Sequence, residues 1–182
     1  MPMSATPPRA ELALSVQTGA GITDAPVSRP RLRRWVLAAL QGDARITLRF
    51  VGTREGRALN REHRGRDYPT NVLTFAYDPP QAPPALTTSA PAPARKGSAP
   101  TASPPADADI VICMPVVRAE ARAQGKTLDQ HLAHLVIHGV LHAQGFDHED
   151  ADEAAAMEAL ETSLLRRLRV PDPYAGERDP PL

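Results

Sequence analysis

One cysteine, Cys113, stands in 182 residues, so no intramolecular disulfide can form. A secreted, disulfide-stapled fold is excluded, and a reducing compartment with a core held by packing is expected. Long apolar runs are absent too. No stretch of 18 or more apolar residues offers a bilayer span, and Met1 to Glu11 holds prolines and an arginine where a signal peptide needs an apolar core. The expected address is the cytoplasm, with no membrane partner. Aromatic residues make up only 4% of the chain, which leaves few of the usual platforms for stacking bases. Net charge is also lacking: Lys+Arg and Asp+Glu both count 21. That zero hides a gradient, because residues 1–77 carry 12 basic and 6 acidic side chains while residues 106–182 carry 7 and 14. An anion can therefore be held at the amino-terminal half without an overall basic field.

What is present reads as a single α+β domain over residues 8–176, a mixed sheet of about four strands packed with helices. Alternation of Leu12, Leu14 and Val16 predicts a strand over 11–17, and Ile46, Leu48 and Phe50 predict another over 44–51. Residues 71–77 and 108–114 supply two more. A helix is expected from about Pro30 to Gln41, ended by Gly42. A second is capped by Thr53 and runs to about His63, and a third covers 115–124 with Gly125 as its left-handed terminator. Thr127 and Gln130 form a capping-box pattern that opens a helix burying Leu132, Leu135, Val136, Gly139, Val140 and Ala143. The last helix, about 150–168, turns Ala155, Met157, Leu160, Leu164, Leu165 and Leu168 inward. Between them, residues 78–105 hold 9 of the 20 prolines and one large aliphatic residue, Leu86. Such a segment buries too little to offset its ordering entropy and is expected to be a disordered insertion within the domain. A longer closed loop adds only about 0.6 kcal/mol per doubling of length.

Five of the six histidines fall between His131 and His148. His138 and His142, four apart on a helix, raise their rings from one face about 6 Å apart. His148 cannot join them from the same helix, since ten residues rise about 15 Å and zinc–nitrogen bonds are about 2.0–2.1 Å. The helix must stop, and Gly145 is placed to reverse the chain with a positive φ. His138, His142 and His148 are therefore the expected ligands of one zinc ion, on a central helix followed by a glycine turn. Three imidazoles leave a tetrahedral position for water, as in catalytic sites. His131 and His134 are read as supporting or surface groups, and Asp147 as a turn-stabilising side chain.

The spacing His-x-x-x-His-x-x-Gly-x-x-His is that of metzincin peptidases, which need glutamate after the first histidine as general base. Here that residue is Gly139. Losing the base would cost about 100- to 10,000-fold, so peptide hydrolysis is the second choice. Arg64 and Arg66 lie in a segment rich in hydrogen-bonding groups before a strand, and their guanidinium groups can bind phosphate bidentately. Zinc and arginine together suggest phosphodiester hydrolysis, with metal-activated water as nucleophile.

Three segments then resemble one family. They are Asn60-x-x-x-Arg64-Gly-x-Asp67-x-Pro-Thr70-Asn-Val-Leu-Thr-Phe75, Asp109-Ile-Val-Ile-Cys113 and His138-Gly-x-Leu-His142-x-x-Gly145-Phe-Asp147-His148. Together they look like the YbeY endoribonucleases, bacterial rRNA maturation factors. The resemblance implies a metal-dependent enzyme cutting single-stranded RNA, active in 3′ end maturation of small-subunit (16S) rRNA and in ribosome quality control. RNA and the small ribosomal subunit are the implied partners. It also implies zinc on His138, His142 and His148, with Arg64 facing the metal cleft. His138 and Arg64 are the expected catalytic residues, and Arg64 with Arg66 the expected RNA contacts. The chain departs from the family at Ala108, where glycine is usual, and in the length of 78–105. A reading from another class is a ribosome-associated, non-catalytic protein with a structural zinc.

Overall fold

The computed structural model describes residues 11–77, 105–146 and 151–175. β1 (Leu12–Thr18) buries Leu12 and Leu14 and exposes the residues between, as its alternation predicts. α1 (Arg29–Ala39) lays Leu32, Trp35, Val36 and Ala39 on the core, with Pro30 in its first turn, where no N–H partner is needed. β2 (Ala44–Val51) and α2 (Thr53–Arg64) follow, then β3 (Val72–Tyr77). β4 (Ala106–Cys113), α3 (Met114–Ala123), α4 (Leu128–Ala143) and α5 (Ala151–Arg167) complete the order. No described helix is long and apolar enough to cross a membrane.

The sheet runs β1-β2-β4-β3. β1, β2 and β4 are parallel, and β3 is antiparallel to β4 at one edge, so the expected mixed four-stranded sheet is borne out. β4 is buried on both faces. Ile110 and Ile112 join α1 and α4 in the main core, while Val111 and Cys113 pack with Val51, Leu73 and Leu59 on the opposite side. Double burial explains why this strand reads as a continuous apolar run rather than an alternation. Burial also pushes the Cys113 thiol above its ordinary pKa. Tyr77 pairs with Asp107, so the chain leaves β3 and returns to β4 at facing positions. The expectation of a disordered insertion falls, apart from Pro105, outside the described residues.

Local boundaries differ in instructive ways. α1 stops at Ala39 because Leu40 is already extended, so Gly42 does not terminate it. Thr53 caps nothing: Gly52 is the N-cap, and Thr53 is the first helical residue. β4 starts at Ala106, two residues early, because the backbone ladder with β2 extends that far: Ala106 pairs with Ala44 and its N–H bonds the Asp43 carbonyl at 3.0 Å. Ala155 is exposed, because the buried face of α5 is centred on Met157, Glu161, Leu164 and Leu165.

α4 is the central helix. Thr127 Oγ1 accepts from the Gln130 backbone N–H at 3.2 Å, and Gln130 Oε1 accepts from the Thr127 N–H at 2.9 Å. This is the predicted capping box. Thr127→Ala is expected to cost about 1 kcal/mol, read as a lower urea midpoint at unchanged slope. At the other end Gly145 takes φ 88°, and its N–H bonds the His142 carbonyl at 3.0 Å. The positive-φ glycine that ends the helix falls where the sequence places it.

Candidate metal centre and its cleft

From His131 to Ala143 every residue of α4 is buried except His134, His138 and His142. Those three occupy one row at four-residue spacing, the stripe that the helix leaves uncovered. His138 and His142 bring their Nε2 atoms to 3.1 Å, with ring centroids 4.5 Å apart. Two imidazoles bound to one tetrahedral ion at about 2.0–2.1 Å hold their nitrogens roughly 3.3 Å apart, so this pair suits a shared cation with little rearrangement. Both rings line a cleft of about 360 Å³ with Arg64, Thr70, Asn71, Val72, Thr74 and Ala76.

Behind His138 lies a buried carboxylate. Glu161 of α5 has no solvent exposure. Its Oε1 accepts from His138 Nδ1 at 2.6 Å, and its Oε2 lies 3.2 Å from His134 Nε2 and accepts from the Tyr174 hydroxyl. Burial pushes the Glu161 pKa upward, but the bonds from His134, His138 and Tyr174 outweigh it and hold it down to about 2. His134, His138 and Glu161 offer ligand atoms within 4.8 Å of one another, a group able to hold a metal ion. Beside it, His131 is buried and bonded to Glu120 at 2.8 Å; desolvation lowers its pKa despite the carboxylate.

The arginine wall is built by the polar residues around it. α2 ends at Gly65 in the left-handed region, φ 67°, which turns the chain away immediately after Arg64. Buried Asn60 donates to the Tyr68 carbonyl at 2.7 Å. Arg57 grips Asp67 through two bonds of 2.8 and 2.5 Å, which keeps that carboxyl below its usual pKa. Asn71 accepts from the Val72 N–H at 2.7 Å and reaches Glu120 at 3.1 Å. These contacts fasten the loop between α2 and β3, so that Arg64, Thr70 and Asn71 meet the face of α4.

The family model described as Endoribonuclease YbeY matches residues 24–169. The chain belongs to the YbeY endoribonuclease family. Among its relatives, the endoribonuclease YbeY of Cupriavidus pinatubonensis is 47% identical over 176 residues, covering 97% of this chain and 77% of that protein. That of Aromatoleum aromaticum is 48% identical over 167 residues, covering 90% and 93%. That of Methylibium petroleiphilum is 47% identical over 169 residues, covering 93% and 98%. A solution structure from Thermotoga maritima is similar at TM-score 0.47 and 22% identity, covering 92% of this chain and 97% of that one.

For this YbeY-family chain, the resemblance read from the three segments is thus borne out. The structure brings Arg64, His138 and His142 to one cleft. His148 and Asp147 lie outside the described residues. Arg66 donates to the Tyr68 hydroxyl at 2.9 Å and is not among the cleft's lining residues. His134 is more than a surface group, since it stands beside Glu161 and Tyr174. Sequence reasoning missed Glu161 and Tyr174. The available signal was an acid inside an apolar stripe: Glu161 follows Leu160 and precedes Leu164 and Leu165, where a buried carboxylate needs donors.

Proposed function

We propose that this protein is a zinc-dependent endoribonuclease that hydrolyses single-stranded RNA. It matures the 3′ end of small-subunit rRNA in the cytoplasm, working with the small ribosomal subunit. The supporting observation is a single one: the cleft that presents two adjacent histidine nitrogens also presents an arginine. His138, His142 and His148 are the proposed ligands. When bound, the ion supplies Lewis acidity, which acidifies water and offsets charge on a phosphoryl oxygen.

The chain's own groups do the rest. Arg64 grips the scissile phosphate bidentately and stabilises the charge that grows on it. On the same side of the cleft, facing α4, Thr70, Asn71 and Thr74 add polar groups for the sugar and phosphate. Arg66, two residues further along an exposed loop, holds the RNA backbone outside the cleft. The relatives' printed name, endoribonuclease, supports the same substrate class.

Arg64→Ala separates chemistry from metal. It is expected to keep stoichiometric zinc and lose about 100- to 1,000-fold in turnover of a defined single-stranded RNA. Cleavage at the wild-type rate would overturn the role of Arg64.

A further inference from the structure

We infer that His134, Glu161 and Tyr174 form a clamp that fixes the ring of His138 from behind, and that Glu161 and His134 are not themselves metal ligands. The inference rests on the proposed ion at His138 and His142 but concerns different atoms. Its first observation is a division of labour on one ring. His138 Nδ1 lies 2.6 Å from Glu161 Oε1, while His138 Nε2 faces His142 Nε2 at 3.1 Å. A separation of 2.6 Å is a charge-assisted hydrogen bond. It is too short for two ligands on one ion, which stand roughly 3.3 Å apart.

The second observation is that both oxygens of Glu161 are engaged. An ionised carboxylate only accepts, and Glu161 is met by donors on both oxygens: His138 on one, His134 and Tyr174 on the other. Placing an ion among His134, His138 and Glu161 would strip the protons that make these contacts. Placing it on His138 Nε2 keeps all of them. It also sets positive charge one ring away from a carboxylate that is otherwise fully buried among neutral donors, where a lone charge is costly.

Third, Tyr174 is itself held in place. Lys126 Nζ donates to the Pro173 carbonyl at 2.6 Å, and Asp172 Oδ1 accepts from the Tyr174 N–H at 2.9 Å and from Thr162 Oγ1 at 3.3 Å. The segment after α5 therefore folds back and delivers a hydroxyl to Glu161. Tyr174 and Glu161 act through His138 and are positioning residues.

Long-range 1H–15N spectra of the full chain at pH 7.5 test this directly, without activity. In the metal-free protein, His138 is expected to carry its proton on Nδ1, and His134 on Nε2. Titrating zinc should move the His138 Nε2 resonance and leave both protons in place. Loss of either proton on loading would overturn the inference while leaving a metal site standing; no change at His138 Nε2 would remove the site itself. Tyr174→Phe, which keeps the ring, should weaken zinc binding about 10-fold, and Glu161→Gln about 10- to 100-fold, in competition with a chromophoric chelator. Glu161→Gln should also mix the His138 tautomers. Wild-type affinity and tautomer in both variants would overturn the clamp.

Discussion

His142→Ala is expected to give a folded protein that has lost zinc and RNA cleavage together. His142 is only partly buried and sits in the last turn of α4, so its removal leaves the core intact. Zinc affinity should fall by more than about 100-fold, the upper range for removing a mere hydrogen-bond partner of a ligand. Cleavage of a defined RNA should fall by more than about 1,000-fold, beyond the loss of one transition-state donor. The pairing with Arg64→Ala makes the result readable. One variant loses metal and activity, the other activity alone, although both residues line the same cleft. Metal analysis of the purified proteins beside an RNA time course is sufficient. Unchanged zinc content and cleavage in His142→Ala would remove the metal centre from the account. A ribosome-associated protein with a structural zinc would then stand better.

The parts of this architecture that were legible in advance are those decided by near neighbours in the chain. Thr127 and Gln130 satisfy each other's backbone N–H groups within one turn, so their pattern alone locates the start of α4. The turn at Gly145 takes a positive φ, which glycine supplies without reference to the rest of the fold. His138 and His142 follow from helix periodicity. Boundaries set by tertiary contact were not legible. β4 begins two residues early because its backbone pairs with β2 as far as Ala106, opposite Ala44. Thr53 has the right chemistry for a cap and the wrong position by one residue. Glu161 and Tyr174 approach His138 from 23 and 36 residues away, a meeting fixed by how α5 and the following segment pack on α4. Arg64 was identified by chemistry and by resemblance, but its place opposite α4 depends on Asn60, Asp67 and Asn71 fastening the intervening loop.

Gly139→Glu restores the residue that a metzincin peptidase carries after its first histidine, and it is expected to unfold this protein rather than create a protease. A Cβ at position 139 would stand 2.8 Å from Ile110 Cγ2 and 3.2 Å from Thr74 Oγ1. Ile110 is fully buried on the central strand and has little room to retreat. Overpacking alone costs about 1–3 kcal/mol; a carboxylate driven into that layer adds a desolvation penalty of several kcal/mol unless it is neutralised. The total rivals the whole stability of a domain this size, about 5–15 kcal/mol. Gly139→Ala is the milder arm. Its gain in helix propensity, about 1 kcal/mol, offsets part of the overpacking, so a net loss of up to about 2 kcal/mol in urea denaturation is expected. The same close approach carries function. Because α4 lies against β4 and β3 at Gly139, His138 and His142 face the Val72, Thr74 and Ala76 side of β3, which forms the other wall of the cleft. A bulkier residue at 139 would push that wall away from the metal ligands, so Gly139→Ala should lower RNA turnover more than zinc content. A Gly139→Glu protein of wild-type stability that digests casein would overturn this account and make the peptidase reading the better one.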